Sequence, residues 1–95
     1  MRKTKLTRLK NGSEYYPAEL AAIRAAKHTI NMEFYEFNPG EIGDAMVAAL
    51  TERAAAGVTV QIIVDAAGSF NTPWSYFGGL RAAGGKMFFY HPLES

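Results

Sequence analysis

Gly57-Val58-Thr59-Val60-Gln61-Ile62-Ile63-Val64-Asp65 is the stretch on which the fold turns. Every residue from Val58 to Val64 except Gln61 is β-branched, so the segment reads as a strand. Its near-continuous apolarity suggests burial on both faces, as in the interior of a parallel sheet. Gly57 is placed to end a preceding helix with positive φ. Asp65-Ala66-Ala67-Gly68-Ser69 turns the chain away on the other side.

Working outward from this strand, helix and strand signals alternate. Upstream, Ile42, Met46, Ala49 and Leu50 form an apolar stripe on a helix running through Ala56. Asn38-Pro39-Gly40-Glu41 reads as its start, with Asn38 as cap, Pro39 at the first helical position and Glu41 reaching back. Before it, Thr29 to Phe37 reads as a strand. Ile30, Met32 and Phe34 point to one face, and Asn31, Glu33, Tyr35 and Phe37 to the other. Tyr16, Leu20 and Ile23 recur at helical spacing from Pro17 onward, and that helix fades near Lys27-His28. Leu6-Thr7-Arg8-Leu9 is a short first strand closed by Asn11-Gly12. Downstream, Thr72-Pro73 begins a third helix carrying Trp74, Phe77 and Leu80. Gly78-Gly79 weakens it and Gly84-Gly85 ends it. Lys86 to Tyr90 is a fourth strand.

This order predicts an α/β fold: a mostly parallel β-sheet in βαβαβαβ order with helices on its faces. Ligands in such sheets gather at the carboxyl ends of the strands. Those ends are Asn11-Gly12, Glu36-Phe37-Asn38, Asp65 to Ser69, and His91. No repeat or linker divides the chain, so residues 1–95 are expected to form one unit.

Composition narrows the function. The chain has 95 residues and nearly half are hydrophobic, enough for one small core. It has no cysteine, which excludes disulfides and thiolate metal sites. No stretch approaches the ~20 apolar residues of a membrane span. The basic start lacks an apolar run behind it, so it is not a secretory signal. Arg2, Lys3, Lys5, Arg8 and Lys10 hold five of the ten basic residues, and all nine acidic residues lie beyond them. Residues 1–5 are expected to be a flexible basic terminus able to touch anionic lipid or phosphate. The remaining body is net acidic, which argues against a wide nucleic-acid footprint.

Several segments together carry a family likeness. They are Leu9-Lys10-Asn11-Gly12-Ser13-Glu14-Tyr15-Tyr16-Pro17; Ala22-Ile23 with Ala26-Lys27, Ile30, Glu33 and Tyr35-Glu36-Phe37; Gly43 through Leu50 with Ala54-Ala55 and Gly57-Val58-Thr59-Val60; Ile63-Val64-Asp65 with Gly68-Ser69; and Leu80 with Ala83-Gly84-Gly85. In this order and spacing they resemble the opening of a phospholipase D-type domain of the cardiolipin synthase kind. The resemblance implies half of a phospholipase D-like domain and phosphodiester transfer with neither cofactor nor metal. One histidine attacks phosphorus and a second protonates the leaving oxygen. Lysines stabilise the developing charge. The family supplies these groups from two His-x-Lys-x-x-x-x-Asp motifs. After His28 the lysine position holds Ile30 and the aspartate position Tyr35; after His91 the lysine position holds Leu93. Neither histidine begins the motif, and no catalytic residue carries over. The chain is expected to stop before the first such motif and to be inactive alone.

Two carboxylates remain as candidate substrate-binding residues. Glu33 sits mid-strand between apolar neighbours, where a half-buried carboxylate needs a partner and its pKa rises. It would line a phosphate pocket or orient a catalytic group, or merely be satisfied by an ion pair. Asp65, at the carboxyl end of the central strand, would hold the following loop or face the site; an Asx-turn with Gly68-Ser69 explains it equally well. Tyr35, Phe37, Trp74, Tyr76 and Phe77 read first as core, His28 and His91 as structural or surface residues. No His/Asp/Glu grouping has metal-ligand spacing.

Three readings follow. One is the amino-terminal piece of a phospholipase D-type phosphatidyltransferase, whose intact form works on phospholipid at a membrane surface. Another is a piece of a phospholipase D-family phosphodiesterase or nuclease. The last is a noncatalytic α/β module that binds a partner or self-associates through apolar surface left open by a half-domain.

Overall fold

The structure, a computed structural model, describes residues 4–7, 16–34, 37–65 and 72–90, with side chains from Tyr16 onward. The elements are β1 (Thr4–Thr7), α1 (Tyr16–Ala25), β2 (Thr29–Phe34), α2 (Glu41–Ala55), β3 (Thr59–Asp65), α3 (Gly78–Ala82) and β4 (Lys86–Tyr90). A single 3₁₀ turn, Trp74–Phe77, leads into α3. The strands form one sheet in the order β1-β2-β3-β4, and every pairing is parallel. The expected α/β class and strand order are therefore observed. β4 has the expected bounds. β1 starts two residues earlier than expected, so Thr4 and Lys5 of the expected flexible terminus lie in a strand, while residues 1–3 and 8–9 lie outside the described residues.

Parallel neighbours in chain order need a right-handed crossover at each step. Successive crossovers of one hand, all stepping the same way, put the intervening helices on one face of the sheet. The core shows this. Ile30, Met32 and Phe34 of β2, Val60, Ile62 and Val64 of β3, and Met87 of β4 are buried. They pack with Ile23 of α1, Met46, Ala49 and Leu50 of α2, Phe77 and Leu80. Fully burying each of the larger side chains contributes about 1.5–3 kcal/mol. The alternate residues of the same strands point away from every described helix. β3 alternates exposed and buried along its length. Its expected burial on both faces is corrected here: the apolar run has one covered face, and Ile63 on the other is 38% exposed.

Local chemistry sets the element ends. Gly57 has φ 99° and Gly84 φ 109°, the left-handed region where glycine escapes Cβ strain. Arg53 ties the end of α2 to the exit of α1, with Nη1 donating to the Ala26 carbonyl at 3.0 Å. The same guanidinium makes a fork with Glu52 at 2.7 and 2.8 Å. The start of α2 differs from expectation. The helix begins at Glu41, Gly40 is its cap residue, and no side chain caps it in the usual way. Asn38 is engaged elsewhere.

Phe37 is a second departure. Strict alternation puts it on the face of Glu33, yet it is fully buried in the core. β2 ends at Phe34, so the strand's alternation does not extend to Phe37. The ring then meets Phe34 edge-on at 4.7 Å and Phe77 at 5.3 Å.

Candidate functional site

Two groups of residues occupy the carboxyl end of the sheet, where the fold places ligands. The first is a latch between the β2–α2 connection and the segment entering the 3₁₀ turn. The Thr72 hydroxyl is buried, 2.6 Å from Asn38 Oδ1 and 3.0 Å from the Phe37 carbonyl oxygen. Its single proton serves both acceptors. The Tyr76 hydroxyl donates to Asp44 Oδ1 at 2.6 Å, and the Gly40 N–H donates to the same oxygen at 3.3 Å. Gly43 lies beneath this contact. A Cβ there would collide with the Asn38 carbonyl oxygen and sit 3.0 Å from the Tyr76 hydroxyl. Burial pushes the Tyr76 phenol above the ordinary tyrosine range, and its hydrogen bond to Asp44 and that carboxylate's charge push the same way. The phenol stays protonated, so it holds Asp44 rather than serving as a base.

The second group is the uncovered face of the sheet. Register sets Glu33 beside Ile63 and Ile63 beside Phe88, with Asp65 beside Tyr90 one row further on. Phe88 is 51% and Tyr90 54% exposed. Glu33 is exposed and Asp65 half-buried. The expectation of a half-buried Glu33 in need of a partner is thus corrected. Its apolar chain neighbours, Met32 and Phe34, point to the opposite face, so the carboxylate keeps its water. The two candidate carboxylates do come together, as diagonal neighbours on adjacent strands of one face. The residues joining Asp65 to an Asx-turn, Ala66 to Ser69, lie outside the described residues, as do Tyr35, Asn11-Gly12 and His91.

Sequence reading missed the latch. Tyr76 and Asp44 are 32 residues apart, and Thr72 and Asn38 are 34 apart. No spacing rule joins them, and Asn38 carried a competing signal as a helix cap. Trp74, read as core, is 44% exposed. Its ring tilts against Phe89 at 4.9 Å and carries the Arg81 guanidinium at 4.7 Å.

A cavity of about 410 Å³ opens at the opposite, amino end of the sheet, between α1 and β2. Ile23, Ala26, Ile30 and Met32 give it apolar walls, and His28 stands at its border. His28 itself is exposed. Among the described residues no three His, Asp or Glu side chains come together as a metal site. No helix among them is long and apolar enough to cross a membrane.

Comparison with known proteins bears directly on this architecture. No family model matches the chain. No solved structure matches it either. Curated relatives do. A cardiolipin synthase of Geobacillus kaustophilus is 36% identical over 86 residues, 90% of this chain and 17% of the relative. "Cardiolipin synthase 2" of Bacillus anthracis is 34% identical over 91 residues, 96% of this chain and 18% of the relative. "Probable cardiolipin synthase YwiE" of Bacillus subtilis is 33% identical over 92 residues, 97% and 18% respectively. The likeness covers 90–97% of the chain, and it makes this chain a member of the phospholipase D superfamily, homologous to a segment that spans 17–18% of the length of these bacterial cardiolipin synthases.

Proposed function

We propose that the chain is the opening βαβαβαβ layer of a phospholipase D-type phosphatidyltransferase similar to cardiolipin synthase. In that reading it serves phospholipid metabolism at a membrane surface and is silent as a catalyst alone. The observation that carries the reading is identity of 33–36% over 90–97% of the chain to proteins named for cardiolipin synthesis. The silence follows from chemistry: neither His28 nor His91 has a lysine two residues on, so no nucleophile is paired with a charge stabiliser in the family spacing. The role of the layer is to hold the carboxyl ends of β2 and β3 in register. Glu33 and Asp65 then face the phosphoryl group that the rest of the enzyme brings.

The test has two arms. Purified chain is incubated with phosphatidylglycerol vesicles, and cardiolipin is followed by mass spectrometry. No product is expected, and turnover that copurifies with the chain overturns the silence. In the second arm, these residues replace the matching segment of the Geobacillus kaustophilus enzyme. A folded chimera that makes cardiolipin supports the reading; one that folds like the unaltered enzyme but makes none refutes it.

A further inference from the structure

The buried hydroxyl of Thr72 stands where β2 and β3 part. The last pair between these strands is Phe34–Val64. Asp65, one residue on, is in register with Tyr90 of β4 and lies past the end of β2. Beyond the Phe34–Val64 pair the described residues tie the two chains again at Thr72. Its hydroxyl reaches the Phe37 carbonyl oxygen at 3.0 Å and Asn38 Oδ1 at 2.6 Å. Phe37 is itself fixed, since its ring is fully buried and meets Phe34 and Phe77 edge-on. Asp65 therefore sits in an interval bounded by the ladder on one side and by this stitch on the other.

The stitch is made against local preference. Asn38 has the chemistry of a helix cap, yet its side-chain oxygen turns to Thr72, and α2 starts from Gly40 with no side-chain cap. Valine would fill the buried place of Thr72 with the same shape and no polar group to satisfy. The second tie, from Tyr76 to Asp44, goes with a glycine at position 43, where a Cβ would collide with the Asn38 carbonyl oxygen. Places where local rules yield to a long-range arrangement are where function is expected. This one lies at the carboxyl end of the sheet, where ligands gather.

We propose that Thr72 is a positioning residue of the phosphoryl-transfer site: its hydroxyl fixes the separation of the β2 and β3 exits and, through it, the place of Asp65. The inference rests on the reading above, in which Asp65 faces the phosphoryl group. Thr72 touches no reacting atom and acts only through geometry. A shift of about 1 Å in a group that faces the reaction costs about 10²-fold in rate. Loss of the hydroxyl should appear in kcat, because a misplaced group weakens the transition state more than the bound substrate.

The experiment uses the chimera described above, with kcat and KM for phosphatidylglycerol measured well below its thermal midpoint. Thr72→Val keeps the shape and removes the hydroxyl, and kcat is expected to fall about tenfold or more with KM within about twofold. Thr72→Ser restores the hydroxyl and should recover most of the turnover. A merely structural role would lower the thermal midpoint of Thr72→Val and leave the kcat of the folded enzyme unchanged, and that result overturns the proposal. So does an equal loss in the valine and serine variants. Should valine prevent folding, Asn38→Ala removes one arm of the stitch at an exposed position that the fold tolerates. It should lower kcat severalfold, and an unchanged kcat overturns the proposal. An unsubstituted chimera that folds and makes no cardiolipin refutes the reading itself and the inference with it. An active chimera indifferent to these substitutions overturns the inference alone.

Discussion

Replacing Tyr76 by phenylalanine removes one hydroxyl and leaves the ring in place. The ring contacts to Phe37 at 6.4 Å and Phe77 at 5.2 Å survive, so the change isolates the 2.6 Å bond to Asp44. A hydrogen bond to a charged acceptor contributes about 1.5–3 kcal/mol. Asp44 is exposed, and its freed oxygen recovers water, which reduces the expected loss to about 1 kcal/mol. With a urea m-value of about 1 kcal/mol/M for a small domain, the midpoint should fall by about 1 M at unchanged m. Asp44→Ala closes a double-mutant cycle, in which a coupling of about 1 kcal/mol is expected. The pH dependence is a second readout. The folded phenol is raised above its unfolded value, so its contribution is fully present below about pH 10. It is lost as pH climbs through the window above that, because the unfolded chain then binds fewer protons. Wild-type stability should therefore decline on the alkaline side more steeply than that of Tyr76→Phe. A variant as stable as the wild type, with coupling below about 0.3 kcal/mol and the same alkaline profile, would refute the latch.

Two further outcomes follow from the packing. Gly43→Ala drives a methyl into the Asn38 carbonyl oxygen, which is backbone and cannot swing away, so thermal unfolding should report a loss of about 1–3 kcal/mol. Phe37→Ala should cost about 3–5 kcal/mol in urea unfolding, while Phe88→Ala, on the open face, should stay within about 0.5 kcal/mol; equal losses would mean that the two faces are not distinguished.

The rhythm of strands and helices was legible in the residues because it rests on local rules. Val58 to Val64 is β-branched, the Ile42–Met46–Ala49–Leu50 stripe recurs at helical spacing, and Gly57 and Gly84 stand where positive φ is needed. The kinship to cardiolipin synthases was legible for a related reason, since the ordered segments that carry it are the same turns and strands. The missing partners of His28 and His91 could be read by counting alone.

Tertiary structure decided the rest. Whether β3 is covered on one face or two depends on which side its crossovers pass, and β-branched residues suit both cases. Phe37 is in the core although alternation put it on the other face, because β2 ends at Phe34 and its period no longer governs that position. Asn38 accepts from Thr72 instead of capping α2, and Asp44 accepts from Tyr76, because packing brings together residues more than thirty positions apart. Glu33 is exposed for the same reason: a side chain's water is set by what lies over its face of the sheet, and one-dimensional neighbours do not specify that.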